Sequence, residues 1–166
     1  MAETRRLGVI REGILTGIIG ATAVAVWFLI VDTINGHPLY TPRALGAAVF
    51  GVLGPPAGER AMTFLVAYTL VHYAVFAVIG IVLAAIVAQG DEQPAVLAGL
   101  AVAFVVFQVA FFFFASALSQ WNIFGVMAWY NVFAANLLAT ALMGAYLYRH
   151  HPGIATGMGH ALSGRV

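Results

Sequence analysis

Residues 61–88 read AMTFLVAYTLVHYAVFAVIGIVLAAIVA, an apolar stretch without a single Asp, Glu, Lys or Arg. A bilayer core about 30 Å thick requires about 20 consecutive apolar residues in an α-helix. The stretch is therefore long enough to cross a membrane, and its one histidine, His72, lies well inside it. These features predict a membrane-spanning helix with an ionisable side chain at depth.

Three further stretches have the same character, which gives four predicted spans at 13–34, 61–88, 95–118 and 124–148. The chain is 63% hydrophobic and 8% charged, whereas ordinary soluble domains are about 45–50% apolar and about 25% charged. A soluble fold cannot bury so much apolar surface. We therefore predict an all-α membrane protein, a four-transmembrane-helix bundle that forms a single domain over 13–148 in contact with the lipid bilayer.

The arginines predict how the bundle is oriented. Arg43 and Arg60 fall between the first two spans, while the others lie before the first span or after the last, at Arg5, Arg6, Arg11, Arg149 and Arg165. The positive-inside rule then places both termini in the cytoplasm. We expect a cytoplasmic segment at 1–12 and a flexible, solvated tail at 149–166 that includes His150 and His151. The absence of lysine together with abundant Ala, Gly and Val favours a GC-rich bacterial genome, and hence the bacterial inner membrane.

The connection between the first two spans contains its own short helix. Asn35-Gly36 predicts a turn, and Thr41-Pro42 predicts an N-cap followed by proline at the first helical position. The apolar residues that follow end at Gly54-Pro55-Pro56. A helix over about 42–53 is half the length that a crossing needs, so we expect it to be interfacial or re-entrant.

Polar residues from three spans are predicted to share one layer near the middle of the membrane. Counting at 1.5 Å per residue from the span ends brings His72, Gln108 and Asn136 to similar depth, with Thr69 and Thr140 one helical turn away. Two interpretations remain open. The layer is either hydrogen-bonding glue between helices, or a ligand or proton site around an intramembrane histidine.

A second polar group is predicted at the outer end, comprising Asp32, Asn35, His37, Arg43 and Arg60. Asp32 is there either a carboxylate in interfacial water, a cap or ion-pair partner of Arg43 or Arg60, or part of a weak metal site with His37. A tight structural metal site usually has four ligands. We therefore predict no metal.

The first span carries a stripe of small residues at four-residue spacing, namely Gly13, Gly17, Ala21 and Ala25. Such a stripe lets another helix backbone approach closely. The spacing predicts a packing surface, and its partner is either another span of this chain or another subunit.

The composition excludes several chemistries. Without lysine there is no Schiff base, and without cysteine there is no disulfide, thiolate nucleophile or iron–sulfur ligand. The arginines form no basic stripe, so nucleic acid is not expected as a partner. The spans contain no paired carboxylates or Ser–His dyad, and we therefore do not expect an enzyme.

From these features we expect a non-catalytic subunit or accessory component of a larger membrane complex, bound to other membrane subunits or to copies of itself. One alternative is a homo-oligomeric channel or carrier for a neutral or weakly polar solute, lined by the His72 layer. Another is a binder of haem, chlorin or quinone through His72. The sequence itself requires no cofactor.

Overall fold

The computed structural model describes residues 2–50, 60–90 and 129–151, with side chains over 7–47, 62–88 and 130–151. Every secondary-structure element in these ranges is a helix: α1 (Ala2–Ile34), α2 (Tyr40–Phe50), α3 (Arg60–Gly90) and α4 (Trp129–His150). Three of them contain segments long and apolar enough to cross a membrane, at Leu7–Ile34, Met62–Ala88 and Tyr130–His150. The predicted helical fold is confirmed for these parts of the chain. The predicted span 95–118, Gln108 and the break at Gly54-Pro55-Pro56 lie outside the described residues.

The helices extend beyond the predicted spans at several ends. α1 begins at Ala2, well before residue 13, and α4 continues past residue 148 to His150. Charged residues such as Glu3, Arg5 and Arg6 are good helix formers. A count of apolar residues therefore marks the part of a helix that suits lipid, and it does not mark where the helix begins.

α1 ends in a Schellman motif, a common helix end that satisfies two of the last carbonyl groups. The N–H of Gly36 donates to the carbonyl of Thr33 at 3.0 Å, and the N–H of His37 donates to that of Asp32 at 2.9 Å. Gly36 has a φ of +79°, a left-handed conformation that glycine adopts without steric cost. The chain therefore turns sharply at Gly36, as the Asn35-Gly36 pair predicted.

The start of α2 corrects the predicted cap. The helix begins at Tyr40, so Thr41 lies in its first turn and is not the N-cap. Leu39 precedes the helix with a φ of +65°, and the N–H of Tyr40 donates to the carbonyl of His37 at 3.0 Å. The Thr41-Pro42 motif predicted that Thr41 caps the helix. The cap is instead the carboxylate of Asp32 on α1, which accepts from the Thr41 N–H at 2.7 Å.

α1 is the central helix of the described part and runs antiparallel to both α3 and α4. Gly13 packs on Ile81 of α3 while Gly17 packs on Phe76, and Gly20 packs on Met143 of α4. α2 lies against the first turns of α3, where a Cβ at Gly46 would lie 2.8 Å from the Phe64 carbonyl oxygen.

We call the side of the bundle that carries the α1–α2 connection the loop end, and the side where α1 begins and α4 stops the terminal end. At the terminal end a small core of Ala84, Val87 and Leu147 joins α3 to α4. The two ends therefore differ in construction, since α2 is packed against the bundle at the loop end.

Candidate functional site: the cleft beside His72

Two helix backbones come into direct contact at the small-residue stripe. A Cβ added to Gly17 would lie 2.6 Å from the Cα of Ala77, and one added to Gly80 would lie 2.8 Å from the Cα of Gly17. Real Cβ atoms are essentially never found that close to other atoms. Glycine is therefore required on both sides of the α1–α3 contact, and Gly13 and Gly17 of the stripe are used within the chain.

Ala21 is the next residue of the stripe, and its carbonyl group is the hydrogen-bond partner of His72. The Nε2 atom of His72 lies 3.1 Å from the Ala21 oxygen. A carbonyl oxygen only accepts, so Nε2 carries the hydrogen and donates it. In a neutral imidazole this leaves Nδ1 as an acceptor. Ala21 itself is fully buried, and its single methyl group leaves the α1 backbone open to the imidazole.

Aromatic rings surround His72 on its own helix. The Tyr68 ring stacks on the imidazole with centroids 5.8 Å apart and planes at 24°. The Phe76 ring lies at 4.8 Å, and the Tyr73 ring meets the imidazole edge-on at 5.8 Å. Tyr68, His72 and Phe76 follow at four-residue spacing, which places them on one helix face. The imidazole is therefore fixed between the α1 backbone and aromatic neighbours.

The two threonines of the predicted polar layer bond within their own helices. The Thr69 hydroxyl donates to the Leu65 carbonyl at 2.7 Å, and the Thr140 hydroxyl donates to the Asn136 carbonyl at 2.8 Å. Threonine commonly satisfies its hydroxyl in this way inside a helix. The Asn136 side chain is half-buried on α4, and its expected bond to His72 or Gln108 stays a prediction.

A cleft of about 230 Å³ opens between α1, the start of α2 and the first half of α3. Its polar lining in the described part of the chain comprises Thr22, Thr41, Tyr68, Thr69, His72 and Tyr73. The hydroxyls of Thr22 and Tyr73 lie 3.1 Å apart and form a hydrogen bond across the α1–α3 interface. Ala25, the last residue of the predicted stripe, lines the cleft and is exposed. None of the described lining side chains carries a fixed charge, so the cleft suits a neutral occupant.

Asp32 lies at the loop end and bonds to Thr41, a residue of the cleft lining. Its carboxylate is 2% exposed and accepts two hydrogen bonds from Thr41, from the backbone N–H at 2.7 Å and from the hydroxyl at 2.8 Å. The N–H groups of a first helical turn have no partner within the helix, and this end of a helix attracts negative charge. Asp32 thus ties α2 to α1 as a cap supplied by another helix.

The other described residues of the predicted outer cluster lie at the surface, whereas Asp32 is buried. Asn35, His37 and Arg43 are exposed. His37 and Arg43 line a second, wider cavity of about 740 Å³ between the loop, α2 and Phe64, and the side chain of Arg60 lies outside the described residues. Among the described residues no group of three His, Cys, Asp or Glu side chains could hold a metal ion.

The cleft also has residues that the sequence reasoning missed, namely Thr22, Thr41, Tyr68 and Tyr73. Aligning the glycines of α1 antiparallel to Gly80 would have placed Thr22 opposite Tyr73.

At the terminal end, Nε2 of His151 lies 3.0 Å from Oε1 and 3.1 Å from Oε2 of Glu12. His151, expected in a solvated tail, therefore lies against α1, and no motif marks this pair.

The geometry distinguishes between the cofactors considered for His72. Haem or chlorin ligation through Nε2 would break its bond to Ala21. A cavity of about 150 Å³ holds a benzene molecule, so the cleft of about 230 Å³ has room for one substituted ring. A quinone ring is of this size.

In comparisons with known proteins, no family model, no curated protein and no solved structure matches the chain.

Proposed function

We propose that the protein is a non-catalytic subunit of a larger complex in the bacterial inner membrane, with four spans and both termini in the cytoplasm. The observation that carries this proposal is a face of α4 formed by Thr140, Ala141, Gly144 and Ala145, called here the Gly144 face. All four residues are exposed. Among the described residues, no atom lies within 4 Å of a Cβ built at Gly144.

A glycine in this position needs a reason. Glycine costs a helix about 1 kcal/mol relative to alanine, and a lipid-facing surface gains nothing from it. Small residues in membrane helices serve close approach by another helix. In α1 this is how Gly13 and Gly17 pack on α3, whereas Gly144 has no such neighbour among the described residues. The face therefore suits a helix outside the described residues, either the predicted span 95–118 of this chain or, as we propose, a helix of another protein.

The proposal is tested by capturing the partner from the native membrane. A photo-reactive benzoylphenylalanine replaces Ala145 on the Gly144 face, and in the control it replaces Ala74, which is exposed on α3. We expect crosslinking to one different protein from position 145 and not from position 74. A chain that crosslinks only to its own copies, and purifies as one small homo-oligomer, would contradict the subunit role.

A matched pair of variants then tests the contact itself. Gly144→Leu should reduce the co-purified partner at least tenfold, because the leucine side chain prevents close approach of the two helices. Gly8→Leu makes the same change at an exposed glycine of α1 with free space around it. That variant should retain the partner.

The orientation is tested with single cysteines, since the chain has none of its own. Asn35→Cys, in the exposed turn, should react with a membrane-impermeant maleimide added to intact spheroplasts. Gly8→Cys should react only after the membrane is permeabilised. The reverse pattern would place both termini outside.

The channel alternative receives less support from the α1–α3 contact. A solute that enters the cleft from the loop end meets the backbone contact of Gly13 and Gly17 with Gly80 beyond His72. Along this interface the cleft is therefore closed beyond His72, which suits binding of a molecule better than its passage across the membrane.

A further inference from the structure

We propose that the cleft between α1, α2 and α3 binds the ring of a lipid-soluble quinone or quinol, taken up from the bilayer. This inference is independent of the partner on the Gly144 face, and either can fail without the other. It rests on the shape of the cleft, its hydrogen-bonding groups and its opening.

The cleft offers hydroxyl groups that can donate hydrogen bonds to the oxygens of a ring. Tyr68 and Tyr73 both line the cleft, and five residues of α-helix separate them by about 7.5 Å along the axis. The Tyr68 hydroxyl makes no hydrogen bond among the described residues and can donate to a quinone carbonyl. The Thr22–Tyr73 pair uses one of its two hydroxyl hydrogens, so the other can donate at the far end.

His72 adds the complementary acceptor. Because Nε2–H donates to Ala21, the lone pair of Nδ1 can accept from the O–H of a quinol. The same cleft therefore offers donors to the oxidised ring and an acceptor to the reduced ring. The aromatic rings of Phe28, Tyr68 and Tyr73 line the cleft and favour a planar occupant.

The opening of the cleft favours a ligand with an apolar tail. Val26 and Leu29 line the cleft and are 47% and 44% exposed, so its open side lies on the membrane-facing surface of α1. A phospholipid headgroup would require basic side chains, and Arg43 lines the other cavity. A neutral ring therefore suits the uncharged lining of the cleft, and an apolar tail suits the exposed apolar side chains at its opening.

The test measures binding of decyl-ubiquinone to the full-length protein in lipid nanodiscs by equilibrium dialysis. Empty nanodiscs are subtracted, so that partition into lipid is removed. We expect saturable binding of one molecule per chain. The proposal would be overturned if the protein-containing nanodiscs bound no more decyl-ubiquinone than empty nanodiscs, or if the additional binding did not saturate.

Two pairs of variants locate the site. Ala25→Phe fills the cleft from its exposed side and should weaken binding at least tenfold, whereas Ala74→Phe, at an exposed position that does not line the cleft, should bind like the wild type. Tyr68→Phe keeps the ring and removes one hydrogen bond, so it should weaken binding about 3- to 10-fold. Tyr148→Phe, exposed on α4, is its control.

Each result decides the proposal. Saturable binding that Ala25→Phe leaves unchanged would place the quinone elsewhere and overturn it. If Ala25→Phe does not yield a folded protein by circular dichroism, Tyr68→Phe decides alone, and wild-type affinity in that variant would overturn the site.

Discussion

The Nε2 atom of His72 lies 3.1 Å from the carbonyl oxygen of Ala21, so the histidine of α3 is bonded to the backbone of α1. The contact depends on the small residues that precede Ala21, because Gly13 and Gly17 bring the two backbones together. Glue and site are therefore compatible interpretations of His72. One ring nitrogen joins the helices, and the ring also lines the cleft.

Replacing His72 with leucine should weaken the bundle. Interhelical hydrogen bonds in membranes contribute about 0.6 kcal/mol on average and up to about 2 kcal/mol, and His72→Leu removes one. We expect a free energy of unfolding lower by about 0.6–2 kcal/mol, measured by SDS titration of the protein in mixed micelles. The control His150→Leu changes an exposed ring that contacts a carbonyl of its own helix, that of Tyr146. Equal losses in both variants would contradict an interhelical role for His72.

Enlarging Gly17 should be more damaging than any change at His72. The Cβ position of Gly17 is already occupied by the α3 backbone at Phe76 and Ala77, and backbone cannot rotate away as a side chain can. Gly17→Leu should cost about 3 kcal/mol or more, at the upper end of overpacking effects. The same titration measures it, and Gly8→Leu, which meets open space, should stay within about 0.5 kcal/mol of the wild type. A stable Gly17→Leu variant would show that the two helices do not pack at this point.

Membrane-length helices could be predicted from the sequence because they depend only on local hydropathy. The packing use of Gly13 and Gly17 was also predictable, since four-residue spacing puts both on one helix face. Their partner was not, because it depends on the register between α1 and α3. Once Gly80 is set between Gly13 and Gly17, antiparallel packing places Thr22 opposite Tyr73 and Ala21 within one helical turn of His72.

Backbone partners explain the rest of what the sequence could not predict. His72 bonds to a carbonyl group, and Asp32 bonds to the backbone N–H of Thr41 as well as to its hydroxyl; the two backbone groups are not identified by any side chain. Depth counting grouped His72 with Asn136 by their height in the membrane alone. Height does not specify the direction in which a side chain points around its helix, so a bond between these two side chains stays a prediction.

Removing the carboxylate of Asp32 should release the first turn of α2. Asp32→Ala leaves the N–H of Thr41 without its acceptor, and an unsatisfied buried group costs about 1–3 kcal/mol. Hydrogen exchange followed by mass spectrometry should show faster exchange in α2 than in α3. Thr33→Ala removes an exposed hydroxyl bond within α1 and should leave exchange in α2 unchanged. Wild-type protection of α2 in Asp32→Ala would contradict the cap.

Two glycines in open space should respond to alanine in opposite directions. Gly36 has a φ of +79° and Gly8 lies in the α1 helix, and a Cβ at either position meets nothing within 4 Å. Left-handed backbone costs a residue with a Cβ about 1–2 kcal/mol, so Gly36→Ala should destabilise by that amount. Gly8→Ala should be neutral or stabilise by up to about 1 kcal/mol. Thermal unfolding in detergent compares them, and equal shifts would argue against the turn at Gly36.

A double-mutant cycle should detect the contact between Glu12 and His151 at the terminal end. Their side chains are 17% and 19% exposed, and partly exposed pairs of this kind couple by about 0.2–1 kcal/mol. Glu12→Gln and His151→Gln should therefore cost less together than the sum of their separate costs, by an amount within this range. The matched cycle pairs Glu12→Gln with His150→Gln, whose ring bonds the Tyr146 carbonyl instead. That second cycle should be additive, and coupling of the same size in both would mean that Glu12 senses the end of α4 in general and not His151.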